Sequence, residues 1–206
     1  MIEKTRCTLL KECQEEPCGP DVYMMPGYLE EDMNFDNIVK FGHWTYKHHD
    51  TYACFPPYDK CHHDVNCIAD DVRKEIKKVS GDEKVSIVGM CYGGNVAQAY
   101  ASKWPEEVDR IALVMTTDFN KADRRIATAM GWHGGDFDIV RNTDFDSIRK
   151  NISAKVFEYN CKIDELFGDP PRVEGSSGVN AWYCIHWIPP PYVFDRIQEF
   201  LDDPSI

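Results

Sequence analysis

No stretch of this chain approaches the roughly 20 consecutive apolar residues that span a bilayer, and Met1-Ile-Glu-Lys-Thr-Arg-Cys7 lacks the apolar run of a signal peptide. Basic charge is also scarce. Against 35 Asp and Glu there are 23 Lys and Arg, a formal net charge of -12, which repels phosphate backbones and anionic membrane surfaces. Nucleic acid and membrane partners are therefore excluded from the expectation. Also missing are internal repeats, low-complexity tracts and any linker-like break in composition, so residues 1–206 are expected to form a single domain, long enough to bury a core without disulfide staples.

Cysteine, by contrast, is abundant: nine residues, at positions 7, 13, 18, 54, 61, 67, 91, 161 and 184. The expectation is a soluble, cytoplasmic protein in a reducing compartment, where cysteine behaves as a small buried hydrophobe and the thiols are mostly packing residues. One segment invites another reading, because Cys54, Cys61, His62, His63 and Cys67 lie close together with His48 and His49 upstream, and thiolate and imidazole are ligands of zinc. The paired Cys-x-x-Cys spacing of zinc ribbons is absent, and Cys67 falls on the apolar side of an amphipathic helix. No metal and no cofactor is therefore expected.

Strand and helix patterns alternate along the chain, which predicts a mostly parallel sheet flanked by helices on both faces. Asp21-Val-Tyr-Met-Met25 before Pro26-Gly27 reads as a first strand, a weak helical pattern follows at about 31–41, and Thr51-Tyr-Ala-Cys-Phe55 before Pro56-Pro57 reads as a second strand. A clearer helix comes next: Asp64 can cap it, Val65, Ile68, Val72, Ile76 and Val79 recur at helical spacing, and Ser80-Gly81 stops it. Further strands are expected at Val85 to Met90, Arg110 to Met115, Lys155 to Asn160 and Val179 to Ile185, with a terminal helix marked by Val193, Ile197, Phe200 and Leu201. A polar section at about 120–150 interrupts the alternation and is a candidate site-covering segment.

The chemistry concentrates at Gly89-Met-Cys91-Tyr-Gly93-Gly94. An apolar strand runs into a glycine-flanked cysteine and then into a helix whose Ala97, Ala99 and Ala101 allow close packing on the sheet. Glycines two places before and after a nucleophile are what the tight strand-to-helix turn of a nucleophile elbow requires. Cys91 sits at the apex, where the helix behind it offers backbone N–H donors.

A thiol needs less activation than a hydroxyl, yet a base is still expected. In the chain order nucleophile, acid, histidine, His186 after the last strand is the expected base and Asp164 after the preceding one the expected acid, both at the edge where open α/β sheets bind ligands. Asp118 is the alternative acid and Asp169 a more distant one. The oxyanion hole is expected from the N–H of Tyr92 and, in the loop Met25-Pro26-Gly27-Tyr28, that of Tyr28. His133, between glycines, reads as a loop residue.

These residues resemble the α/β-hydrolase superfamily over about 21–201. Gly89-x-Cys91-x-Gly93-Gly94 is similar to the cysteine elbow of dienelactone hydrolases and polyhydroxyalkanoate synthases, and Trp104-Pro-Glu-Glu-Val-Asp-Arg-Ile-Ala-Leu-Val and Thr117-Asp118-Phe119 look like the segment after the synthases' nucleophile. Pro26-Gly27 replaces the usual His-Gly of the oxyanion loop. The resemblance implies a compact α/β-hydrolase fold and hydrolysis of a small-molecule ester, lactone or thioester through a Cys-His-Asp triad. The alternatives are an acyltransferase related to those synthases and a hydrolase-shaped binding protein without turnover.

Overall fold

A computed structural model describes residues 5–27, 46–116, 118–121, 135–164, 173–184 and 192–203, with backbone alone at 121, 161–164 and 179–184. In chain order the elements are β1 (Arg6–Lys11), β2 (Val22–Met25), β3 (Thr51–Phe55), α1 (Val65–Ser80), β4 (Val85–Met90), α2 (Tyr92–Lys103), β5 (Val108–Val114), α3 (Gly135–Arg141), α4 (Phe145–Lys150), β6 (Lys155–Asp164), β7 (Ser177–Cys184) and α5 (Tyr192–Asp202). The strands form one sheet in the order β1-β3-β2-β4-β5-β6-β7. Only the β1–β3 pairing is antiparallel.

The period of two along each central strand sorts its side chains between two cores. Tyr23, Met25, Ile87, Ile111 and Leu113 face one core, shared with Ile68, Val72 and Ile76 of α1, Val96 and Ala97 of α2 and Phe145 of α4. Val22, Met24, Val88, Ala112 and Val114 face the other, closed by Val193, Ile197, Phe200 and Leu201 of α5. Helices thus cover both faces, and the central strands, buried on both sides, read as continuous apolar runs.

α1 forms as its pattern dictates. Asp64 accepts a hydrogen bond from the Asn66 N–H at 2.9 Å, and Gly81 ends the helix at φ 60°, its N–H donating to the Lys77 carbonyl. α2 is different, since every residue from Tyr92 to Ala101 is buried between the sheet and the outer helices. Its alanines and glycines permit that close approach. Of the expected covering segment at 120–150, residues 122–134 lie outside the described residues, while Val140, Phe145 and Ile148 are part of the core. The weak helical pattern at 31–41 also lies outside them.

Two departures from the sequence-based expectation concern the amino-terminal part. β1 adds an antiparallel edge strand, carrying Arg6 and Lys11 and only partly buried, so it has no apolar alternation to reveal it. The cysteine expectation is corrected: Cys7–Cys54, Cys13–Cys18 and Cys61–Cys67 are disulfides. The first joins β1 to β3 at the Cys7–Cys54 pair of the ladder. Disulfides persist in oxidising surroundings, so the thiol argument for a reducing, cytoplasmic compartment falls away. None of the helices among the described residues is long and apolar enough to cross a membrane.

Peptide mapping without reduction is expected to recover these three linked pairs. Because Cys7–Cys54 closes a loop of 47 residues, Cys7→Ala should lower the unfolding free energy by about 4 kcal/mol on loop entropy alone, read from urea melts. Recovery of all six cysteines as thiols would contradict the pairing.

Candidate active site

β2, β4 and β5 run parallel, pairing Met25 with Gly89 and Met90 with Val114 at their carboxyl ends. At this edge the chain leaves β4 and enters α2 within a single residue. Cys91 makes that turn at φ 53° and ψ -125°, a left-handed conformation uncommon for residues with a side chain. Its N–H donates to the Val114 carbonyl at 2.9 Å, and its own carbonyl accepts from the Gly94 N–H at 3.1 Å. The turn is therefore tied to both the neighbouring strand and the helix it starts.

The glycines around Cys91 are demanded by space. A Cβ on Gly89 would lie 2.5 Å from the Gly94 Cα, and one on Gly93 would collide with the Met25 and Pro26 carbonyl oxygens. In the loop after β2, a Cβ on Gly27 would stand 2.8 Å from the Cys91 Cβ and 3.3 Å from its Sγ. The loop after β2 thus runs directly against Cys91. Cys91 is a thiol, 1% exposed.

Tyr92 is the first residue of α2. Its side chain is buried, donates through the hydroxyl to the His63 carbonyl, and packs edge-on against Phe119 at 5.0 Å. The structure thus brings the Tyr92 backbone and the Gly27 loop to Cys91. Tyr28 lies outside the described residues.

Of the expected triad partners, Asp164 is the last residue of β6, where its backbone pairs with Cys184, the last residue of β7. His186, two residues beyond Cys184, lies outside the described residues, as do His133 and Asp169. Asp118 follows β5 and is 3% exposed. Both of its carboxylate oxygens accept from Arg149 of α4, the Nη2–Oδ2 bond being 3.1 Å. Burial works against the guanidinium charge, but the bonds to Asp118 and Asp146 outweigh it and hold Arg149 above its ordinary pKa.

The zinc reading loses its thiolates, because Cys54, Cys61 and Cys67 are all in disulfides. Among the described residues no group of three or more His, Cys, Asp or Glu side chains is arranged to hold a metal ion. His62 and His63 instead occupy the turn before α1, both at positive φ. His62 Nδ1 lies 3.0 Å from Asp136. Burial lowers the pKa of His63, partly offset by Asp136 and Asp59.

Sequence reasoning missed the Arg149–Asp118 pair and Tyr58. The Tyr58 ring stands 5.8 Å from that of Tyr92, and its hydroxyl donates to the Pro26 carbonyl at 2.6 Å. Both contacts join segments more than 30 residues apart, so neither leaves a local pattern.

The sequence profile of the alpha/beta hydrolase fold family matches residues 47–169, and the chain belongs to that family. Solved structures share the fold. Est1E from Butyrivibrio proteoclasticus is 11% identical, with 95% of this chain and 91% of that one covered and a TM-score of 0.69. Carboxylesterase CesB from Bacillus subtilis is 15% identical, with 96% and 87% covered and a TM-score of 0.63, and naproxen esterase from the same organism is 15% identical, with 98% and 90% covered and a TM-score of 0.59. None of the curated proteins compared with the chain matches it.

The packing of the elbow makes a direct prediction. Gly93→Ala should destabilise the protein by about 1–3 kcal/mol through overpacking against the loop carbonyls. Gly135→Ala, with open space around it, should change stability by less than about 0.5 kcal/mol. Urea denaturation of the two variants measures the difference.

Proposed function

We propose that this protein hydrolyses a small ester, lactone or thioester through Cys91, His186 and Asp164, with an acyl-cysteine intermediate. The observation that carries the reading is Cys91 itself: a buried thiol at left-handed φ, at the amino end of a buried helix and against the loop after β2. Such a turn presents a nucleophile beside backbone donors. Further support comes from esterases among the proteins of the same fold, including Est1E, whose structure has been solved with ferulic acid bound.

In this mechanism His186 accepts the Cys91 proton and the thiolate adds to the substrate carbonyl carbon. The carbonyl π pair moves to oxygen, and the oxyanion is met by the N–H groups of Tyr92 and Tyr28. Collapse breaks the bond to the leaving group, which takes the proton from His186. Water then adds to the acyl-cysteine carbonyl as His186 removes its proton. The second collapse breaks the carbon–sulfur bond, and the proton returns to sulfur as the acid product leaves.

Asp164 is preferred as the acid that orients His186. Its backbone pairs with Cys184 at the neighbouring strand end, two residues before the histidine. Asp118 has its charge compensated by Arg149, which makes it a weaker partner for an imidazolium.

Replacement variants test these roles against p-nitrophenyl acetate and an acetyl thioester. Cys91→Ala and His186→Ala should each lower kcat by about 10⁴-fold or more. Asp164→Asn should lower kcat without a comparable loss of stability, whereas Asp118→Asn should destabilise by about 1.5–3 kcal/mol by taking the buried half of Arg149's charge-assisted bonding and leaving it Asp146 alone. Full kcat in Asp164→Asn, with kcat per folded molecule lost in Asp118→Asn, would transfer the acid role to Asp118. A wild type without hydrolysis would favour a hydrolase-shaped binding protein.

A further inference from the structure

We propose that the Cys61–Cys67 disulfide is a redox switch for the site: a dithiol that reduces it releases the turn before α1, and turnover at Cys91 falls. The effect on turnover rests on the reading of Cys91 as nucleophile, while the release of the turn does not.

Position sets this bond apart from the other two. Cys67 is the third residue of α1 and is exposed, while Cys61 is buried in the turn ahead of it. One partner thus stands in solvent and the other is anchored inside. In the β1–β3 bond, Cys54 is wholly buried and Cys7 packs against the core, which shields that bond from a reductant. The Cys13–Cys18 bond is open to solvent, but its segment bonds to Lys47, His48 and Asp50. Those residues precede β3, at the amino ends of the parallel strands, away from the carboxyl edge that carries the elbow.

The turn that the bond closes is held against its own backbone preference. His62 and His63, consecutive and both between the two cysteines, have φ of 50° and 58°, the left-handed region that residues with a side chain seldom enter. Such backbone persists only where its surroundings over-determine it. Here the His62 N–H donates to the Asp59 carbonyl at 3.1 Å, the His63 N–H to the Tyr58 carbonyl at 3.0 Å and the Asp64 N–H to the Cys61 carbonyl at 2.9 Å, and the disulfide closes over all three. Opening it removes the one covalent constraint, and both histidines are then able to leave the left-handed region.

Two buried hydrogen bonds connect this turn to the elbow. The Tyr92 hydroxyl donates to the His63 carbonyl, and Tyr92 directly follows Cys91. The Tyr58 hydroxyl donates to the Pro26 carbonyl at 2.6 Å, in the loop whose Gly27 lies against Cys91. A change of backbone conformation at His63 turns its carbonyl and takes that acceptor from a buried hydroxyl, which is costly unless Tyr92 shifts with it. The reduced state therefore loosens the packing on both sides of Cys91. Chemically, one thiolate of the dithiol attacks the Cys67 sulfur, the S–S bond breaks and Cys61 departs as a thiolate that takes up a proton. The second thiolate then attacks the mixed disulfide, releasing Cys67 on the first turn of a helix, a setting that favours a thiolate. Two electrons pass to the cystine, and the reductant leaves as its cyclic disulfide.

Timed reduction of the wild-type protein with dithiothreitol tests the switch. After removal of the reductant, one half of each sample is assayed on p-nitrophenyl acetate, and the other is alkylated with iodoacetamide and mapped by peptide mass. Loss of kcat is expected to track the appearance of Cys61 and Cys67 as thiols, to reach at least about fivefold, and to reverse on reoxidation with oxidised glutathione. Hydrogen exchange of peptides covering 58–64 and 91–94 is expected to quicken on reduction, a readout that needs no turnover. The Cys61→Ala/Cys67→Ala double variant should begin at the reduced kcat and ignore dithiothreitol, whereas Cys13→Ala/Cys18→Ala should keep both the wild-type kcat and the response. Because the wild-type time course uses no variant, it decides the question even where a double variant folds poorly.

Unchanged kcat with Cys61 and Cys67 both mapped as thiols would overturn the switch. So would a loss of kcat that tracks the opening of Cys7–Cys54 or Cys13–Cys18, or a Cys61–Cys67 bond that resists the dithiol until the protein unfolds. Absence of hydrolysis in the oxidised wild type would overturn the proposed function instead. The exchange measurement then still decides the coupling: unaltered exchange at 91–94 after reduction overturns it.

Discussion

The closeness of β4, α2 and the loop after β2 is the constraint on which the rest depends. Gly89 fits against Gly94, Gly93 against the Met25 and Pro26 carbonyls, and Gly27 against Cys91. With a side chain at any of these positions, the helix would stand off from the sheet and the loop would stand off from the helix. The positive φ at Cys91 belongs to the same crowded place, where the chain turns sharply from strand to helix in one residue. Strain of order 1–3 kcal/mol at such a residue persists only where surrounding contacts over-determine it. Here those contacts are the bond to the Val114 carbonyl on one side and the buried face of α2 on the other.

Elements farther away support that arrangement. α1 covers α2 and is started by the turn that carries Tyr58, His62 and His63, so the disulfide closing this turn also steadies the contacts of Tyr58 and Tyr92 beneath the elbow. Arg149 joins α4 to the segment after β5 through Asp118. Opposite-charge pairing in a buried place fixes geometry even where its net contribution to stability is small. The edge of the sheet with the candidate site is therefore braced from two directions, while the edge near β1 is stapled by Cys7–Cys54.

What was legible in the sequence follows a physical division. The elbow could be read because its requirements are local: two glycines, a cysteine and an apolar strand within ten residues. α1 could be read for the same reason, from Asp64, a 3.6-residue period and Gly81. The mostly parallel sheet followed from the alternation of strands and helices, although β1 was missed, since a half-exposed edge strand bearing charges at both ends has little pattern. The disulfides were misread as packed thiols, because Cys7 and Cys54 become neighbours only through the β1–β3 ladder. Tyr58 and Arg149 were invisible in the sequence for a related reason. Their roles lie in bonds to Pro26 and Asp118, and nothing in a tyrosine after two prolines, or an arginine on an amphipathic helix, announces a partner that far along the chain.

The central claim is that sulfur at position 91 carries the acyl group. Rapid quenching of the protein with excess p-nitrophenyl acetate at low pH, followed by intact mass and peptide analysis, measures this directly. The account predicts a gain of one acetyl group, about 42 Da from the replacement of hydrogen by acetyl, located on the Cys91 peptide and lost on standing at neutral pH. Turnover with no acyl adduct on that peptide, or an adduct that forms elsewhere at the rate of turnover, would contradict it.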